Sequence, residues 1–389
     1  MLGGPLYQLY LKTRLAHPPL HLLARRLIML PGVCWLPLLL LAAVEGHLTG
    51  GVPVPFFRDP EVHIRFLAAL PLLIGAEVFV HDRMQHIVPQ FLSRGIIDKE
   101  QADRFEKIVA SATRLRNSVI VEVVLLLLVL ILGGWIWRHN FTLTSSTWYR
   151  LNNGGFRLTL AGWYYALVSL SIFRFILIRW YFRIFVWYRF LWQVRALPLH
   201  LNLFHPDRSA GLGFLSGSAL ALAPVFTAQT TVIAGTIYAH ILYAGARLPD
   251  YKMEIAGALV FAILLVTLPL GFFSLMLEHA GRTAKREFGG LASQYVEDFH
   301  DRWIGAGTST GTRRPADQGP EEPLLGTADI QSLADLGNSF ALVSQDRTLP
   351  ISKETLIRLA VIISIPFLPL LLTMFPIDEV IQKLFKLAF

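Results

Sequence analysis

Residues 119–137 read VIVEVVLLLLVLILGGWIW, a run in which Glu122 is the only charge. A helix rises about 1.5 Å per residue, so a run of this length covers most of a hydrocarbon core roughly 30 Å thick. Working outward, six further apolar runs stand between clusters of charge, at 27–44, 66–80, 158–178, 214–239, 255–277 and 356–375. The run at 66–80 is short for a crossing and needs help from its flanks or from snorkelling side chains. A composition of 54% hydrophobic and 16% charged residues over 389 positions is too apolar for a soluble surface. The expected fold is all-α: a polytopic membrane helix bundle of about seven transmembrane helices.

Orientation follows from the basic residues, because loops rich in Lys and Arg stay in the cytoplasm. With the N-terminus inside, 24 of them fall in inside segments, nine in outside segments, and Arg174 and Arg358 within spans. This bias predicts N-terminus in and C-terminus out, with the first run retained as an uncleaved signal anchor. It also accounts for the net charge of +8 without nucleic acid. The rings of Trp135, Trp137, Trp163, Trp180 and Tyr181 then fall near span ends, at headgroup depth.

The chain divides accordingly. Residues 1–26 form a cytoplasmic N-terminal segment, and 27–280 hold helices one to six, with a cytoplasmic helical loop at 81–117. Residues 281–353 form a second cytoplasmic loop. Within it, 305–323 are nearly all Gly, Thr, Ser, Arg, Pro, Asp and Glu, a composition that predicts a flexible linker. Ile330, Leu333, Leu336 and Phe340 then recur at helical spacing behind Asp329, predicting a helix that packs back on the cytoplasmic side. Residues 354–389 hold the seventh span and a short amphipathic helix for the outer interface.

Several groups of residues are candidates for function. Glu122 lies one turn inside span three and Arg174 at similar depth in span four, which predicts an intramembrane charge pair, structural or part of an ion path. Glu77 with His81, and Asp82 with His86, stand four apart and share helical faces. They are a candidate proton or metal site, weak because no HExxH motif or cysteine partner accompanies them. The single cysteine, Cys34, lies in an apolar run and excludes a disulfide framework or a cysteine-based metal site.

The stretch 200–214, HLNLFHPDRSAGLGF, places His200, His205, Asp207, Arg208, Ser209, Gly211 and Gly213 before span five. Glycines can turn backbone N–H groups toward an anion at a helix start, so these residues predict either an anion or lipid-headgroup cradle or an ordinary capping turn. In span five, Ser216, Ala219, Thr227, Thr230 and Thr231 share one helical face, which reads as a pore lining or as a close packing seam. Pro224, Pro269 with Gly271, and Pro366 with Pro369 predict bends in the last three spans, compatible with a hydrated cavity or with a packed bundle.

The phrases HPDRSAGLGF (205–214), LLGTADIQSLADLGNSF (324–340) and LLLTMFPIDE (370–379) resemble a group of uncharacterised bacterial multi-pass membrane proteins. The resemblance implies a bacterial inner membrane and assigns no catalytic residue. No Walker loop, GxSxG elbow or paired acid motif is present, so no cofactor is expected and the enzyme question stays open, with a non-enzymatic role favoured. The leading expectation is a channel or transport path for ions or small solutes, surrounded by membrane lipid and formed as a homo-oligomer. The alternatives are a scaffold or sensor that binds a cytoplasmic protein through 281–353, and an interfacial enzyme acting on lipid headgroups.

Overall fold

The computed structural model describes residues 23–139, 146–152, 156–303, 328–344 and 348–374. The predicted linker at 305–323 and the terminal amphipathic helix lie outside the described residues, as do residues 1–22. The chain is a helical membrane bundle. Its helices are α1 (Leu23–Val44), α2 (Pro60–Ser93), α3 (Ala102–Arg116), α4 (Val119–His139), α5 (Leu160–Val194), α6 (Leu212–Ala244), α7 (Leu248–Thr267), α8 (Leu270–Arg302), α9 (Asp329–Ser344) and α10 (Lys353–Met374). Between α4 and α5 a small antiparallel hairpin pairs β1 (Arg150–Asn152) with β2 (Phe156–Leu158).

Five of these helices, α1, α2, α5, α6 and α10, are long and apolar enough to cross a membrane. A sixth candidate is the pair α7 and α8, bent by 45° at the break before Leu270. Pro269 explains the break, since a proline inside a helix removes a backbone donor and clashes with the preceding turn. Helix α4 contributes the shorter apolar window Val119–Ile131. Seven runs therefore become helices, but a total of seven spans is reached only by counting α4 and the bent pair. Large apolar side chains such as Ile28, Val44, Ile120 and Val361 point outward, as expected where lipid rather than water is the solvent.

Two helices are much longer than their apolar runs. Helix α2 begins at Pro60, behind Asp59, whose carboxylate accepts the N–H groups of Glu61 (3.0 Å) and Val62 (3.4 Å). Proline at the first helical position loses no intrahelical bond and brings a preset φ. Helix α5 is capped twice: Thr159 Oγ1 accepts Gly162 N–H at 2.9 Å, and Glu45 accepts the N–H groups of Leu160 (2.6 Å) and Ala161 (3.3 Å). A carboxylate at this end of a helix also meets the positive end of its dipole. Gly162 is required for contact with the hairpin, because a Cβ there would stand 2.1 Å from the Tyr149 carbonyl oxygen. At its other end α5 continues to Val194, since Arg179, Trp180 and Arg183 are buried against neighbouring helices. This corrects the interfacial reading of Trp180, whose Nε1–H donates to the Leu73 carbonyl at 3.0 Å in the core.

Helix α6 is the most enclosed of the candidate spans, packed against α2 on one side and α10 on another. Helix α8 begins in the main core with Leu270, Phe273 and Leu277, and its later part pairs with α9 through the stacked rings of Phe288 and Phe340 and an Arg302–Asp329 ion pair at 3.2 Å. The helix expected behind Asp329 is thus present, and it packs on α8.

Candidate functional site

Glu77 is the centre of a buried charge cluster. Its carboxylate meets Arg26 at 3.0 Å, Arg179 at 2.9 Å and Arg183 at 3.0 Å, and Arg179 continues to Glu122 at 3.2 Å. The side chains of these five residues are at most 10% exposed. Arg26 and Glu122 lie one turn inside the starts of α1 and α4, whereas Glu77, Arg179 and Arg183 lie in the later halves of α2 and α5. One cluster thus gathers side chains from four helices, α1, α2, α4 and α5. Arg179 and Arg183 are four apart, on one face of α5. The Arg183 guanidinium also lies over the Trp180 ring, 4.8 Å from its centroid.

The cluster changes two sequence expectations. Glu122 makes its ion pair with Arg179, five residues along α5 from the expected Arg174; Arg174 instead has Arg65 and Tyr165 as electrostatic neighbours. Burial of α5 beyond residue 178 moved the cationic partner further along the helix than the apolar run suggested. Glu77 is drawn into the arginines and away from His81, Asp82 and His86. Asp82 and His86 are exposed and joined to Gln85, at 3.1 and 3.4 Å. No group of three or more His, Cys, Asp or Glu side chains able to hold a metal occurs among the described residues.

Beside the cluster lies a cavity of about 320 Å³ between α2, α3 and α5. Met84, Val109, Val186, Trp187 and Phe190 make up much of its wall, and Arg116 and Arg183 are the charged residues that line it. Arg116 ends α3, and its Nε–H donates to Asn117 at 3.1 Å. Burial, and then the nearby Arg179 charge, lower its affinity for its proton from the ordinary arginine value. Sequence reading missed this site because Arg183 lies 67 positions from Arg116 in the chain and on another helix.

The 200–214 segment is built around Asp207. One carboxylate oxygen accepts the N–H groups of Ser209 (2.9 Å) and Gly211 (3.1 Å), and the other accepts that of Gly213 (2.8 Å). His205 Nδ1 is 3.1 Å away. The N–H groups expected to cradle an external anion are thus occupied by the chain's own carboxylate, which supports the capping-turn reading. Burial raises the Asp207 pKa, but the three N–H bonds and His205 outweigh it and hold the group below its ordinary range. The turn puts Arg208 (φ 56°), Ala210 (φ 52°) and Gly211 (φ 91°) in left-handed conformation. At Gly213 a Cβ would lie 2.8 Å from the Asp207 carboxylate. His200 stands apart, exposed, with Nε2 2.5 Å from Asp98.

The small-residue face of α6 meets α10 at Thr227 and Thr230. Ala219 is fully buried, Ser216 Oγ donates to Gly213 O at 2.6 Å, and Thr231 to Thr227 O at 2.7 Å. Thr230 Oγ1 lies 2.8 Å from the Ile363 carbonyl oxygen and Thr227 Oγ1 3.5 Å from that of Ile362, so these hydroxyls reach carbonyl groups of α10. Bonds between helices are how hydroxyls are satisfied in an apolar surround.

At the opposite end of the bundle, α2 and α5 each contain a π-helical segment, Ile64–Ala69 and Tyr165–Ser169. Arg65 from the first donates to the Tyr165 hydroxyl in the second, and also pairs with Glu61. Asp59 accepts Trp148 Nε1–H at 2.9 Å, yet burial, and then Glu61, push its pKa up to about 6. No protein-family model, curated protein or solved structure matches the chain.

Proposed function

We propose that the chain is a bacterial inner-membrane protein of seven spans, N-terminus in and C-terminus out, that forms a transport path for small solutes, with anions as its cargo. In this reading it works as a homo-oligomer, and the cavity lined by Arg116 and Arg183 is the anion's binding position on the cytoplasmic side. The observation that carries the reading is Arg183, 6% exposed and tied to Glu77, on the wall of that cavity. An ionisable group within a membrane bundle is costly, and such groups commonly mark a solute path. The α6 face is not the lining in this reading, which rests on α2, α3 and α5.

Reconstitution into liposomes tests it, with chloride, phosphate and small carboxylates compared against potassium. Wild type should pass anions in preference to the cation, and Arg116→Gln should reduce anion flux at unchanged protein density. Equal or absent flux across ions and voltages would overturn the reading.

A second reading is a scaffold that binds a cytoplasmic protein through 281–353. It is favoured by the α8–α9 hairpin, on which Leu291, Val296 and Ile330 are exposed. Replacing these three by serine should abolish partner crosslinking while leaving flux intact.

A further inference from the structure

We propose that the anion held at Arg116 and Arg183 is the headgroup phosphate of an anionic phospholipid, with an acyl chain lying along the apolar wall of the same cavity. This rests on the reading of the cavity as an anion site and names the ligand class.

Three observations carry it. The first is the division of the lining. Two guanidinium groups, with the uncharged polar side chains of Gln85 and Thr113, stand beside an apolar wall of Met84, Val109, Val186, Trp187 and Phe190, and no carboxylate lines the cavity. The polar groups can meet an anion's oxygens, and the hydrocarbon wall beside them suits an amphiphile that has one charged end. The second is location. Helix α3 is short and strongly amphipathic, turns Phe105 inward against Phe91 and Phe190, and carries Arg104, Lys107 and Arg114 beside Arg116. An amphipathic helix rich in basic residues belongs at headgroup depth, where an anionic lipid is already present. The third is room. A second cavity of about 540 Å³ shares Val88, Pro89, Val109 and Thr113 with the first and extends the surface along α3, mostly apolar, with Glu106 and Arg114 as its charged residues. A chain that enters beside the guanidinium groups therefore has an apolar continuation.

The test uses the full-length protein in detergent, with native mass spectrometry counting bound phosphatidylglycerol and phosphatidylcholine of matched chains. Wild type should retain phosphatidylglycerol preferentially. Arg116→Gln should cut that preference about fivefold, the ratio for one basic residue facing an anionic headgroup. Arg116 is outside the Glu77 ion pairs, so this variant keeps the cluster. Val109→Trp, which fills the cavity and leaves both charges, should reduce binding of both lipids. Equal retention of the two lipids by wild type, or a preference unmoved by Arg116→Gln, overturns the proposal. Inorganic phosphate and glycerol phosphate separate the two readings. If they bind through Arg116 while lipids show no preference, the lipid assignment falls and the anion site stands. If neither they nor the lipids respond to Arg116, both fall.

Discussion

Glu77 and Asp207 are both carboxylates surrounded by donors, but the donors come from different places. Asp207 takes three N–H groups from residues two, four and six positions along the chain. Glu77 takes guanidinium groups 51, 102 and 106 positions away. The first arrangement shapes one turn, and its cost is local. The second holds helices in register, and because its members are buried charges, loss of one member leaves the others uncompensated. The contrast suggests that the cluster fails as a unit and the turn fails alone.

The largest predicted effect is at the cluster. Glu77→Ala leaves three guanidinium groups facing one another and should cost about 3–5 kcal/mol, read as loss of folded yield and a lower thermal midpoint in detergent. A variant as stable as wild type would remove the distinction between the two sites. Asp207→Ala should cost about 2 kcal/mol, since three N–H groups lose a charged acceptor at a half-buried place. Gly213→Ala should cost about 1–3 kcal/mol through crowding of the Asp207 carboxylate, and most of that cost should vanish in the Asp207→Ala background. Additive losses would mean that Gly213 matters for some other reason. At the α6–α10 seam Thr230→Val should cost about 1 kcal/mol, the value of one hydrogen bond.

Proton linkage offers the gentlest test. Asp207 has a folded pKa below its ordinary 3.8, so it stabilises above that pH and its contribution is lost as pH falls through the lower folded value. Asp59 is the reverse: its folded value of about 6 lies above 3.8, so its contribution is present at low pH and lost as pH rises from about 4 to 6. Thermal midpoints of Asp207→Asn and Asp59→Asn against pH should therefore diverge from wild type in opposite directions.

Sequence made the local part legible and left the rest hidden, for a physical reason. Hydropathy located every run that became a helix, because each side chain reports its own preference for lipid. It failed at helix ends: α2 and α5 run well past their apolar cores because polar residues there find buried partners. The turn at Asp207 was readable, since a capping carboxylate and glycines within six positions form one signal. The Glu122 pair was placed on Arg174 because depth was judged from the apolar run, whereas the helix carried Arg179 to the level of Glu77. The cavity could not be anticipated at all, as its walls come from three helices and its two arginines are 67 positions apart. The α6 face was visible as a stripe of small and hydroxyl residues, but only the position of α10 decides between seam and pore.

A double-mutant cycle tests most directly whether the buried charges act as one unit. Stability would be measured for Glu122→Gln, Arg179→Gln and the pair, and in parallel for Glu122→Gln with Arg174→Gln. The account predicts a coupling above about 1 kcal/mol for Glu122 with Arg179 and near additivity for Glu122 with Arg174. Coupling confined to Arg174, or absent from both, would contradict it.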